Sequence, residues 1–218
     1  MSLPKKRIAI LISGRGSNMM SLVEAARAPD YPAEIVVVIS NRPEAPGLAW
    51  AKANGIPALG LDHKLYDGRA HFEGQLHTVL TASRVELVCL AGFMRLMTPE
   101  FAGKWRDRMI NIHPSLLPGF KGLHTHERAL AAGVKLAGCT VHFVRAEMDE
   151  GPIIAQAAVP VLDRDTPESL GARVLAAEHK LYPHALRLVA SGEARLDGER
   201  VVLANPVNQE AGIFSPSI

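Results

Sequence analysis

Apolar and polar positions alternate between two periods along the first half of the chain. Short aliphatic and β-branched runs, such as RIAILI and IVVVIS, are separated by longer amphipathic stretches, the pattern of a parallel sheet with crossover helices. Strands are expected at Arg7 to Ile12, Ile35 to Ser40, Pro57 to Leu61, Val85 to Ala91 and Met109 to Ile112. Helices are expected at Ser17 to Arg27, Gly47 to Asn54, Gly68 to Ser83 and Pro99 to Trp105, with Thr98-Pro99 reading as an N-cap followed by proline at the first helical position. A doubly wound, Rossmann-like α/β sheet follows, and in such folds ligands bind beyond the carboxyl ends of the strands.

The pattern changes after Ser115. A Pro- and Gly-rich loop, SLLPGFKG, leads to a helix near His126 to Ala132, then to strands around Thr140 to Val144 and Ile153 to Val161. These read as a C-terminal antiparallel β extension of a mostly parallel sheet. Thr166-Pro167 opens a long C-terminal helix in which Leu170, Val174, Leu181, Leu186 and Val189 fall near one face. Asp197-Gly198 marks a hairpin, and NQEAGIFSPSI offers no structural signal. Without repeats or a long linker, residues 1–205 read as one domain, with a phosphate-binding lobe at 1–110, a second lobe at 111–205 and a tail at 206–218.

Composition narrows the function classes. Twenty-four Lys and Arg against 22 Asp and Glu give a net charge of +2 over 218 residues, and the basic side chains are scattered. Nucleic acid is therefore not an expected partner. The two cysteines, Cys89 and Cys139, lie inside apolar runs and read as buried thiols, which suits a reducing, cytoplasmic setting. The start MSLPKKRIAILISG superficially echoes a signal peptide, but its apolar run ends in a Gly-rich loop. No run approaches the ~18 apolar residues of a membrane span.

Four segments carry candidate chemistry. Ser13-Gly14-Arg15-Gly16-Ser17-Asn18 joins the first strand to the first helix, where glycines permit a tight turn and helix-start amides can hold a phosphate; a plain glycine turn with Ser17 or Asn18 as cap is the competing reading. A dinucleotide fingerprint is incomplete, since Met19 replaces its third glycine and Ser40-Asn41-Arg42 supplies no acid for a ribose, although Arg42 facing a 2′-phosphate keeps an NADP enzyme as runner-up. Ala91-Gly92-Phe93-Met94-Arg95-Leu96-Met97 suits a flat, charged aromatic ligand, or simply core packing with a solvated Arg95.

Asn111-Ile112-His113 ends the fifth strand, and strand alternation places Asn111 and His113 on one face at the ligand edge. A neutral amide donor beside an imidazole suits stabilisation of an oxyanion together with proton transfer. Asp149, before the turn Gly151-Pro152, is either a solvated turn carboxylate or a partner that favours the charged form of His113. His113, His124, His126 and His142 lack the spacing of a metal site, so no metal is expected.

Taken together, SGRGSN, AGFMRLM, NIHPSLLP, GLHTH, TVHFV and the Asp149-Glu150-Gly151 turn resemble the phosphoribosylglycinamide formyltransferases of purine synthesis, in order and spacing from about Ile8 to Tyr182. The resemblance implies 10-formyltetrahydrofolate as formyl donor and co-substrate, and the glycyl amine of glycinamide ribonucleotide as acceptor. It implies that Gly16, Ser17 and Asn18 hold the ribonucleotide phosphate, with Glu178 at the glycinamide end. It also implies a folate site lined by Arg69, Met94, Arg95, Leu96, Met97, Asn111 and the run Arg145, Ala146, Glu147, Met148, Asp149, and a catalytic set of Asn111, His113 and Asp149. For Arg15 an added phosphate contact is the expectation.

Four competing readings remain. A formyltetrahydrofolate hydrolase would use the same Asn, His and Asp with water as acceptor, but is expected to carry an extra N-terminal regulatory domain and to lack the SGxGSN loop. Methionyl-tRNA formyltransferase would need a C-terminal RNA-binding domain beyond this chain's end. A non-catalytic nucleotide or folate binder does not account for all three catalytic positions, and an NADP reductase would bind nicotinamide. Oligomeric state stays open, a homodimer among the options.

Overall fold

The structure, a computed structural model, describes residues 4–205 and Ser215; the sequence reading of the final segment falls almost wholly outside these. The chain forms β1 (Lys6–Ile12), α1 (Ser17–Ala26), β2 (Ala33–Ser40), α2 (Pro46–Ala53), β3 (Ala58–Gly60), α3 (Gly68–Ala82), β4 (Leu87–Leu90), α4 (Pro99–Lys104) and β5 (Met109–His113). It continues through α5 (Thr125–Ala131), β6 (Leu136–Phe143), β7 (Ile153–Pro160), α6 (Pro167–Ser191), β8 (Ala194–Asp197) and β9 (Arg200–Leu203).

Seven strands make one sheet in the order β3-β2-β1-β4-β5-β6-β7. The first five are parallel, and β6 and β7 add antiparallel. Helices cover both faces, so the central strands are apolar on both sides. Ile8, Ile10 and Ile12 pack with Met19, Leu22, Leu48 and Tyr182 on one face, while Ala9 and Leu11 pack with Phe72, Leu76, Leu80 and Trp105 on the other. Two-stranded β8-β9 stands apart from the main sheet.

Local chemistry explains several boundaries. Thr98 caps α4 by accepting from Phe101 N at 3.2 Å, and the buried Glu73 takes the Thr98 N–H at 2.9 Å. Helix α6 begins with a Thr166–Ser169 capping box and Pro167, and ends at Gly192 in the left-handed region. Its buried stripe is Leu170, Val174, Glu178, Tyr182, Ala185 and Leu186, with Leu181 and Val189 half-buried beside it, so a carboxylate and a phenol join the apolar positions read from the sequence. Tyr182 donates its hydroxyl between the carbonyls of Leu90 (3.0 Å) and Ile110 (3.2 Å), tying the helix to the ends of β4 and β5.

Strand β6 starts at Leu136, four residues before the expected Thr140. The glycine inside it masks the strand signal, yet the packing requires it. A Cβ at Gly138 would lie 2.0 Å from the Ala157 carbonyl oxygen of β7.

Candidate active site

The order of strands reverses between β1 and β4, so the segments that follow these two strands part and leave a crevice. Ser13 braces the crevice from below. Its hydroxyl donates to Asn41 Oδ1 at 2.6 Å and accepts from Met94 N at 2.8 Å, while its own N–H reaches Gly92 O at 3.1 Å. A cleft of about 790 Å³ opens above and runs from Asn18 and Glu178, past Asn111 and His113, to the segment Val144 to Asp149.

The candidate acceptor end is built by α1 and α6. Gly16 takes φ 71° and ψ 43° to start α1, a conformation in which a side chain would be strained. No described side chain caps the amides of that helix start. Asn18 Nδ2 donates to Glu178 Oε2 at 2.6 Å, and both residues are buried and line the cleft. Burial raises the Glu178 pKa, and the Asn18 hydrogen bond opposes that rise. Asn18 Oδ1 is buried with no hydrogen-bond partner among the described residues.

At the other end, the segment after β4 alternates. Phe93 and Met97 pack into the core with Phe72, and the Arg95 guanidinium sits 5.2 Å from the Phe72 ring centre. Met94 and Leu96 turn outward, 62% and 57% exposed, and together with Leu123 and Met148 give the cleft an open apolar mouth. Ala146, Glu147 and Met148 line the opposite wall. Arg145 also lines the cleft, while its guanidinium is held by Asp107 and Glu199. Arg69 is placed elsewhere: it lies exposed at the start of α3, outside the cleft lining. Gly16 and Ser17 border the cleft at α1 without lining it, and Arg42 is exposed and also outside it.

Between the two ends, β5 and the 144–152 connection bring Asn111, His113 and Asp149 together. His113 Nδ1 lies 3.4 Å from Asp149 Oδ2, and both side chains are under a tenth exposed. His113 Nε2 lies 3.1 Å from Phe120 O. A carbonyl only accepts, so Nε2 is the donor there, and the second nitrogen faces the Asp149 carboxylate. Asp149 adopts φ 58°, unusual for a residue with a side chain, and this turns its carboxylate inward to accept Gly122 N–H at 2.9 Å.

The sequence reading did not include His142 in this group. It pairs across the β5/β6 register with Asn111, and its Nε2 lies 3.3 Å from Asn111 Nδ2 and 3.9 Å from Asp149 Oδ1. Desolvation lowers its pKa, against opposing effects from the Phe143 carbonyl and Asp149. The pairing of β6 with β5 was the missing information, because TVHFV alternation alone leaves open which strand His142 faces. Leu123, His124 and His126 are further lining residues outside the assigned set. Among the described residues, no three His, Cys, Asp or Glu side chains converge as metal ligands.

Comparison with known proteins adds the chemistry's lineage. The family model described as formyl transferase matches residues 6–186. The trifunctional purine biosynthetic protein adenosine-3 of Bos taurus is 53% identical over 194 residues, covering 88% of this chain and 19% of that protein. The chain thus spans about a fifth of such trifunctional relatives. The phosphoribosylglycinamide formyltransferase of Escherichia coli (strain K12) is 38% identical, covering 89% of this chain and 95% of that one. Among solved structures, glycinamide ribonucleotide transformylase 1 from Symbiobacterium toebii superposes with a TM-score of 0.89 at 48% identity, covering 92% of this chain and 95% of that chain.

Proposed function

Because the chain belongs to the formyl transferase family, we propose that it transfers a formyl group from 10-formyltetrahydrofolate to the glycyl amine of glycinamide ribonucleotide, a step of purine synthesis in the cytoplasm. The observation that carries this reading is the meeting of Asn111, His113 and Asp149 midway along a cleft with a polar, buried end at Asn18 and Glu178 and an apolar mouth at Met94 and Leu96. The catalytic unit is residues 1–205.

The ribonucleotide phosphate sits on the α1 amides at Gly16, Ser17 and Asn18, where the helix dipole favours an anion. Glu178 receives the glycinamide end. The folate ring system lies between Met94 to Met97 and the 145–149 segment, so the donor's N10 is beside Asn111 and His113. Attack forms a C–N bond from the amine to the formyl carbon and leaves a tetrahedral oxyanion. Asn111 donates an N–H to it, and the His113 Nε2–H exchanges Phe120 O for the developing charge. Asp149 orients the ring from the Nδ1 side. The amine then loses a proton, the N10–carbon bond breaks, and N10 takes a proton, giving formylglycinamide ribonucleotide and tetrahydrofolate. Stabilisation comes from donors already in place, so the residues suffice without a metal.

Hydrolysis of the formyl folate would use the same three residues. The buried Asn18–Glu178 end is unnecessary for water and favours a larger acceptor. The two readings separate when the protein is incubated with 10-formyltetrahydrofolate with and without glycinamide ribonucleotide while tetrahydrofolate release is followed. Turnover that depends on the ribonucleotide is expected; equal release without it would make the protein a hydrolase.

A further inference from the structure

The Arg145 side chain is only 7% exposed and is held between carboxylates from two distant parts of the chain. Nη2 lies 2.9 Å from Asp107 Oδ1, and Nε lies 2.9 Å from Glu199 Oε2. Asp107 sits in the turn that feeds β5, the strand of Asn111 and His113, and takes φ 62° there. Glu199 sits at the tip of the β8-β9 hairpin and also pairs with Arg106 of the same turn. The hairpin therefore reaches over and joins the base of the candidate catalytic strand to the near arm of the segment that ends at Asp149.

The far end of that segment is held by other contacts. Asp149 accepts from Gly122 N at 2.9 Å, Glu150 pairs with Lys121 at 2.7 Å, and Phe143 N donates to Pro152 O at 2.9 Å. Exposed ion pairs contribute little as a rule, but a shielded guanidinium that loses one of two carboxylates is left under-neutralised and must find another acceptor. Such a shift displaces residues 145–147, which line the cleft, while Asp149 keeps its own anchors.

We propose that Glu199 is a positioning residue for the donor: through Arg145, the hairpin holds the wall against which the folate lies. This rests on the formyl-folate reading above. Glu199→Gln should raise the KM for 10-formyltetrahydrofolate roughly five- to tenfold while kcat and the KM for glycinamide ribonucleotide stay within about twofold. Glu199→Asp should fall between, and Val202→Thr, exposed on the same hairpin, should match wild type. Calorimetric titration with tetrahydrofolate should show the same weakening in Glu199→Gln. An unchanged folate KM and affinity, or equal increases in both KM values, would overturn the proposal. Wild type without transfer activity that still binds tetrahydrofolate more tightly than Glu199→Gln would overturn the reaction and keep the strut.

Discussion

His142 Nε2 lies 3.3 Å from Asn111 Nδ2, and this contact decides which edge of the Asn111 amide faces the cleft. The other ring nitrogen of His142 is 2.9 Å from Phe143 O, which only accepts, so the proton of the neutral ring is on Nδ1. Nε2 is then a bare lone pair, and Asn111 must offer its NH2 group to it. One N–H goes to His142; the second remains for an oxyanion.

Protonating His142 reverses that polarity and sets two donors against each other. Burial holds the ring pKa below its usual 6.5, so the neutral form persists at neutral pH. The linked stability is intact above the unfolded value and is lost as pH falls through the lower folded one. Both kcat and Tm should therefore decline on acidification below about pH 6.5. His142→Gln keeps an acceptor that does not titrate. It should flatten part of the acid limb of kcat, at a cost of about tenfold in rate at neutral pH. Superimposable acid limbs in both proteins would mean that His142 does not orient Asn111.

Asn111→Ala removes the neutral donor, and Asp149→Asn removes the charge that holds His113. Loss of one oxyanion donor typically costs ~10²–10³ in kcat. The same range is expected for Asn111→Ala, and at least ten times slower turnover for Asp149→Asn, with tetrahydrofolate affinity within about threefold. Steady-state rates together with calorimetric titration check both halves. Normal kcat in either variant would remove that residue from the mechanism.

Much of the fold is legible in the sequence because its strands are buried on both faces. RIAILI and IVVVIS read directly as strands of a two-sided core, and Thr98-Pro99 and Thr166-Pro167 are local signals that need no tertiary information. Asn111 and His113 are legible as neighbours for the same reason, since alternation along one strand is a local property. His142 was not, because its role depends on the antiparallel register of β6 against β5, and Gly138 hid the first half of β6. The partners of Arg145 were equally hidden: Glu199 is 54 residues further along, and nothing local points to it.

Glu178 is a carboxylate kept in a buried helix position at a cost to stability. Its folded pKa is raised by burial, so its favourable contribution is present below the unfolded value of 4.5 and is lost as pH rises through the folded one. At neutral pH, Glu178→Gln should therefore be more stable, by about 1 kcal/mol or roughly 2–4 °C in Tm for a chain of this size. If Glu178 has its proposed role, the same change should raise the KM for glycinamide ribonucleotide at least tenfold, because the amide lacks the charge assigned to the acceptor's amine end. Thermal melts and kinetics on one preparation test the trade-off. A variant less stable than wild type, with unchanged KM, would assign Glu178 a structural role.

Gly151 closes the connection that carries Asp149, and its hydrogen atom points at backbone. A Cβ there would lie 1.6 Å from the Phe143 carbonyl oxygen and 2.7 Å from its carbon, both backbone atoms that cannot swing away as the third neighbour, Arg145 Cγ at 3.3 Å, can. Relief requires breaking the 2.9 Å bond from Phe143 N to Pro152 O and prising apart the β6/β7 junction. Gly151→Ala should cost about 3 kcal/mol, roughly 6–12 °C in Tm, a magnitude reserved for forced backbone or core rearrangement. It should also lower kcat, since Asp149 lies two residues upstream and its inward turn at φ 58° depends on the same closure. Gly74→Ala provides the contrast: that position lies inside α3 with nothing within 4 Å of the added carbon, and should gain about 0.5–1 kcal/mol from reduced chain entropy. Finding Gly151→Ala as stable and as active as wild type would show that the connection can be rebuilt without its tight crossing, and that Asp149 reaches His113 by some other support.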